Sequence, residues 1–226
     1  MAGTRLIISY DGTNNEVDAL ALGRVLADAG AHVALAYVRH SPAFEAPGDH
    51  DLPRGEAAAL LDRGAELYGD VGVERHVVDD RSTPAGLLAL SGQIDAQGVV
   101  FCSDSHTAVG HISIGNSARR LLEGGPLAVA IAPAGYAQSA PARLARIACP
   151  SESAEALATA AALRAATGSE QVDSAERADL IVIGSRSDGR PGCVALAAAA
   201  ERLIEEAGCP VLLLPAGVAL GFEAGD

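Results

Sequence analysis

The chain has 226 residues, 49% of them apolar and only 3% aromatic, with a formal net charge of −13 at pH 7. That length allows one large domain or two modest ones around an aliphatic core. The acidic balance argues against nucleic acid or an anionic membrane as partner, because phosphate backbones require clustered Lys and Arg, and no apolar run reaches the length of a membrane span.

The N-terminal MAGTRLIISYDG runs directly into a strand pattern, without the basic and apolar regions of a secretory signal. Cys102, Cys149, Cys193 and Cys209 form no C-x-x-C pair. They read as small buried hydrophobes of a cytoplasmic protein.

Arg5–Tyr10 is a short apolar run, and Asp11-Gly12-Thr13-Asn14-Asn15 follows as turn and helix cap. Val17, Leu20, Leu22, Val25 and Leu26 recur at helical spacing until Gly30 ends the helix. His32–Val38 reads as a second strand. A loop with Pro42, Pro47, Gly48 and Pro53 leads to a helix near Arg54–Tyr68. Val73–Val78 is a third strand, Pro84–Leu90 a helix and Gly98–Cys102 a fourth strand. A polar loop follows, then a helix from Asn116 to Glu123 and a fifth strand over Leu127–Ala132. Strands alternating with helices predict right-handed crossovers and an α/β, doubly wound parallel sheet of Rossmann-like type, covered on both faces.

Gly135–Pro141 reads as a linker, and the chain beyond it repeats the chain before it. Val99–Gly135 aligns with Ile181–Gly217 at a constant offset of 82 residues and without a gap. Ser103 falls on Ser185, Arg120 on Arg202, Val129 on Val211, and Pro133-Ala134-Gly135 on Pro215-Ala216-Gly217. Arg146–Cys149 and the Ala156–Ala166 helix resemble Arg5–Gly30 at an offset near 140. The expected organisation is a complete domain over 1–136 and a shortened copy over 143–226, lacking the second strand, second helix and third strand.

Read in order, these segments resemble the universal stress protein family in tandem form. Asp11-Gly12-Thr13 followed by Ala19-Leu20 is similar to that family's V-D-G-S/T…A-L opening. Leu35-Ala36-Tyr37-Val38 stands where the family has L-x-H-V. Ala178–Ser185 is similar to its A-D-L-I-V-x-G-S strand, and Ala207–Leu212 to its A-x-C-P-V-L strand.

The resemblance implies a site for ATP or AMP, with Mg²⁺ only if ATP binds. Its residues would be Asp11, Gly12, Thr13, Val38, Cys102, Ser103, Ser105, Gly115, Asn116 and Ser117. The family's ATP-binding members carry G-x-x-G, a nine-residue spacer, and G-[ST], whose glycines admit the phosphates to the backbone. Here Cys102, Ser105, Gly115 and Asn116 occupy those positions, so only the third glycine remains. Asn116 and Ser117 still provide capping groups at a helix start. In the second copy the positions are Gly184, Ser187, Ala197 and Ala198, with no capping hydroxyl.

Asp11 reads either as acceptor for a base or ribose at a strand end or as an Asp-Gly turn and cap. Asp104, His106 and His111 match no metal-ligand spacing, so no metal is expected. Ser103, Asp104, Ser105 and His106 hold the residue types of a hydrolase triad without a G-x-S-x-G elbow, and no catalytic residue is expected. The leading expectation is a non-catalytic regulatory or binding protein with a weakened or lost nucleotide site. It would be a homodimer or an intramolecular pseudo-dimer of the two halves. The alternatives are an adenine-nucleotide binder acting through the first half, and a slow ATPase using His106 or His111.

Overall fold

A computed structural model describes residues 3–13, 15–40 and 52–223. The expected loop carrying Pro42, Pro47 and Gly48 therefore lies outside the described residues, as does Asn14. The first half runs β1 (Arg5–Ser9), α1 (Glu16–Asp28), β2 (His32–His40), α2 (Arg54–Tyr68), β3 (Glu74–Asp80), α3 (Thr83–Ile94), β4 (Gly98–Cys102), α4 (Asn116–Leu122) and β5 (Ala128–Ala132). The second runs β6 (Arg146–Ala148), α5 (Ala154–Thr167), β7 (Glu170–Val172), β8 (Leu180–Ile183), α6 (Ala198–Glu206) and β9 (Val211–Leu213).

The nine strands among the described residues form one sheet in the order β3-β2-β1-β4-β5-β9-β8-β6-β7. Every pairing is parallel except β5 with β9, where Ala130 faces Leu212. Strand β5 is buried along its whole length, as expected of a parallel strand covered on both faces. Alternate residues of the strands feed two aliphatic layers. Ile8, Val100 and Ala130 pack with Leu22, Leu61 and Leu163 of α1, α2 and α5. Ile7, Val99 and Ile131 pack with Leu90, Leu121 and Ile204 of α3, α4 and α6.

Local chemistry places the helices. Ser82 caps α3 by accepting from Ala85 N, with a proline in the first turn, and Ser153 caps α5 by accepting from Ala156 N. Both outer edges are blunted, β3 by Glu74, Arg75, Asp79 and Asp80, and β7 by its three-residue length. Among the described residues no helix is long and apolar enough to cross a membrane.

Two expectations change. The second half keeps a short strand beside β6, for β7 pairs with it in parallel as β2 does with β1. What it lacks are counterparts of α2, β3 and α3; between β7 and β8 lies only a 3-10 turn, Ala175–Arg177. The stretch read as a linker is packed: Tyr136–Gln138 forms a 3-10 turn, and Tyr136 is buried against the α1 side of the sheet.

The C-terminal segment then returns to the start of the chain. Thr4 donates to Gly221 O from its backbone N at 3.2 Å and from its hydroxyl at 2.6 Å. A Cβ on Gly30 would stand 1.8 Å from Glu223 O, so this crossing needs glycine there, and its φ of +97° needs it as well.

Candidate functional site

In the order 3-2-1-4-5 the chain leaves β1 toward one face and β4 toward the other. The carboxyl ends of β1 and β4 therefore open at a topological switch point, where sheets of this kind bind ligands. Asp11, Gly12 and Thr13 follow β1 and are all exposed. Asp11 Oδ1 accepts from Thr13 N at 3.0 Å, closing the turn. Val38 lies on β2, two residues beyond Ala36, whose carbonyl accepts Tyr10 N at 2.8 Å. Its side chain packs toward α3.

Asn15 joins the two strand ends: its Nδ2 donates to Asp104 O at 3.0 Å and lies 3.4 Å from Ser103 O. The structure thus sets the Asp11–Thr13 turn against the Cys102–Ser105 loop. A bond from Asp104 N to Ser113 O, 3.1 Å, brings the residues before α4 beside the same loop.

The loop's own polar groups are largely engaged. Ser103 is fully buried, and its hydroxyl lies 2.9 Å from Ala132 O and 3.2 Å from His111 O, sharing one proton between two carbonyls. Ser103 N donates to Ala132 O, and Thr107 N to Asp104 O, each at 3.0 Å. His106 N donates to Asp104 Oδ1 at 3.2 Å. Ser105, His106 and His111 are exposed, and no group of three or more metal-ligating side chains exists among the described residues.

At the helix start the capping expected of Asn116 and Ser117 is absent. Gly115 is the N-cap, with φ −63° and ψ 160°, and no side chain bonds the free amides of α4. Asn116 and Ser117 instead fall inside the first turn of α4, past the capping position.

Sequence reasoning passed over two acids of α1. Glu16 and Asp18 are both buried, on the helix face that also carries Ala19, Leu20 and Leu22. Asp18 accepts from Gly135 N and Ala137 N, each at 2.8 Å, and so ties α1 to the segment after β5.

Glu16 turns back onto the end of β1, where its carboxyl accepts from Asp11 N and Gly12 N and hydrogen-bonds the Asp11 carboxyl. Burial, then this Asp11 contact, pushes the Glu16 carboxyl up to about 10, so it holds its proton at neutral pH. Burial, with the Glu16 and Asp11 charges behind it, pushes the Cys102 thiol up to about 12.

The second half repeats the loop's bonding. Ser185 Oγ lies 2.7 Å from Leu214 O and 3.5 Å from Cys193 O. Arg186 N donates to Ala195 O as Asp104 N does to Ser113 O, and Gly192 N to Ala216 O as Gly110 N does to Ala134 O. Each of these partners stands 82 residues beyond its counterpart. At the strand end the halves differ. A Cβ on Gly184 would meet Ser153 Oγ at 1.7 Å and Glu155 Oε1 at 3.0 Å, so α5 closes directly on β8 where the first half has Cys102.

A doubly wound α/β sheet with its crevice at the β1/β4 switch point defines a Rossmann-like class. Within it, residues 161–215 match the model of the universal stress protein family. A universal stress protein from Archaeoglobus fulgidus DSM 4304 shares the fold with TM-score 0.67 and 14% identity, over 96% of this chain and 100% of that one. A functionally unknown protein from Pseudomonas aeruginosa PAO1 does so with TM-score 0.57 and 14% identity, over 95% of this chain and 93% of that one. No curated protein matches the sequence. The universal stress protein resemblance read from the motifs therefore holds.

Proposed function

We propose that this chain is a universal-stress-like, cytoplasmic binding or regulatory protein without turnover of its own, whose first-half nucleotide site is weakened or lost. The observation that carries this reading is the internal use of four backbone amides of the loop after β4. Ser103, Asp104, His106 and Thr107 all donate to oxygens of the chain itself. A bound anion must break those bonds or do without them.

The matched loop bonding of residues 103–113 and 185–195 supports descent of 1–136 and 143–226 from one tandem unit. The β5–β9 pairing supports an intramolecular pseudo-dimer. Calorimetry of the pure chain with ATP and Mg²⁺, and with AMP, tests the site. We expect a Kd no tighter than about 1 mM, roughly 4 kcal/mol of binding free energy. Micromolar binding would overturn the weakened site.

A second reading, adenylate binding through Asp11, Val38, Ser103, Ser105, Gly115 and Asn116, is favoured by the exposure of Asp11 and Ser105 at the switch point. It requires AMP to raise the melting temperature and Asp11→Ala to abolish the rise.

A further inference from the structure

Of the groups at the switch point, Glu16 is the one whose chemistry the reading above does not use. Its carboxyl lies at the end of β1, on the Asp11 and Gly12 amides. It is 4% exposed, and it is spent on three partners within one turn: the amides of Asp11 and Gly12 and the Asp11 carboxyl. Asp11 Oδ1 is already committed to Thr13 N. Glu16 thus takes up both backbone donors of the Asp11–Gly12 corner, while the exposed Asp11 carboxyl keeps acceptor sites of its own. Neither Asp11 nor Glu16 has a Lys or Arg ion partner among the described residues.

We propose that Glu16 is a specificity-determining internal ligand, holding the Asp11–Gly12 corner against any molecule that would use the same groups. Its carboxyl presents to that corner what an incoming base edge or hydroxyl would present, an acceptor for the two amides and a donor to the carboxylate of Asp11. A ligand that uses the two amides must displace Glu16. The apparent affinity is then the intrinsic one multiplied by the small fraction of molecules in which the corner is free. This inference rests on the weakened-site reading and adds to it a second cause, separate from the loop amides.

The test measures AMP and adenosine affinity by calorimetry on the full-length chain and two variants. Glu16→Ser empties the corner, whereas Glu16→Met keeps the volume and removes every hydrogen bond, which guards against a loosened turn. Both variants are expected to bind at least about tenfold tighter than the parent chain, and the gain should vanish when Asp11→Ala is added. Equal affinity in parent and variants would overturn the proposal, as would a gain that survives Asp11→Ala. Absence of binding in all three would also overturn it while leaving the weakened site standing. Micromolar AMP binding by the parent would instead sink the weakened site, with the parent-to-variant ratio still deciding the role of Glu16.

Discussion

The β4–α4 and β8–α6 units have the same loop skeleton and different strand ends. Ser103 and Ser185 each lock a loop to the last strand of its half through matched carbonyls. Yet Cys102 leaves a side chain at the first strand end, whereas Gly184 lets Ser153 and Glu155 close on the second. The helix that packs beside each crevice differs too. α1 places Glu16 and Asp18 inward, whereas α5 buries Glu155 in its first turn and Thr159, which accepts Leu220 N at 2.9 Å. Backbone pairing gives the two loops the same geometry while the chemistry at their strand ends differs. A shared loop is therefore weak evidence for a shared ligand.

That contrast can be broken in several ways. The largest effect is expected from pH. Glu16 titrates near 4.5 when unfolded and is held at about 10 when folded. The native state then binds the extra proton between those values, so stability is full at low pH and falls as pH rises toward 10. The slope from this single group is bounded at about 1.4 kcal/mol per pH unit. Chemical denaturation between pH 5 and 9 should show the decline, and Glu16→Gln should flatten it. An unchanged profile in the variant would place the effect elsewhere.

Asp18→Ala should cost about 2 kcal/mol, because two part-buried amides lose their acceptor, and Thr159→Ala about 1 kcal/mol, because only one bond is lost. Urea midpoints of the two variants compare the helix ties of the halves directly. Gly184→Ala should cost about 2 kcal/mol by overpacking against Ser153. Cys102→Ala, at the matching place, should cost less than about 1 kcal/mol because that site already accommodates a side chain. Smallest and most alike should be Ser103→Ala and Ser185→Ala, each about 1 kcal/mol. Clearly unequal losses would show that the matched loops are not energetically equivalent.

Much of the architecture was legible in the chain. The apolar runs at Arg5–Ser9, Gly98–Cys102 and Ala128–Ala132 and the Arg54–Tyr68 helix stand where periodicity placed them, since buried parallel strands and amphipathic helices have strong local signatures. The offset of 82 residues was legible as well, and several loop bonds recur at that spacing. The short strand Glu170–Val172 was not, because EQV carries no apolar alternation and forms only by pairing with β6. At the site, Asp11 and the loop residues could be named from the motif. Glu16 and Asp18 could not, because an acid in the first turn of a helix ordinarily reads as dipole compensation at the surface.

The sequence by itself therefore determined the element order and the doubly wound class, since these follow from hydrophobic period and short-range capping. Tertiary structure alone decided that the halves join through antiparallel β5 and β9 and that the C-terminal segment crosses Gly30. It also decided that the Asp11–Gly12 corner is engaged by the chain's own glutamate. Each of these depends on which groups meet across long sequence separations or turn inward at a helix start, and the burial that decides their chemistry exists only once the sheet and its helices have packed.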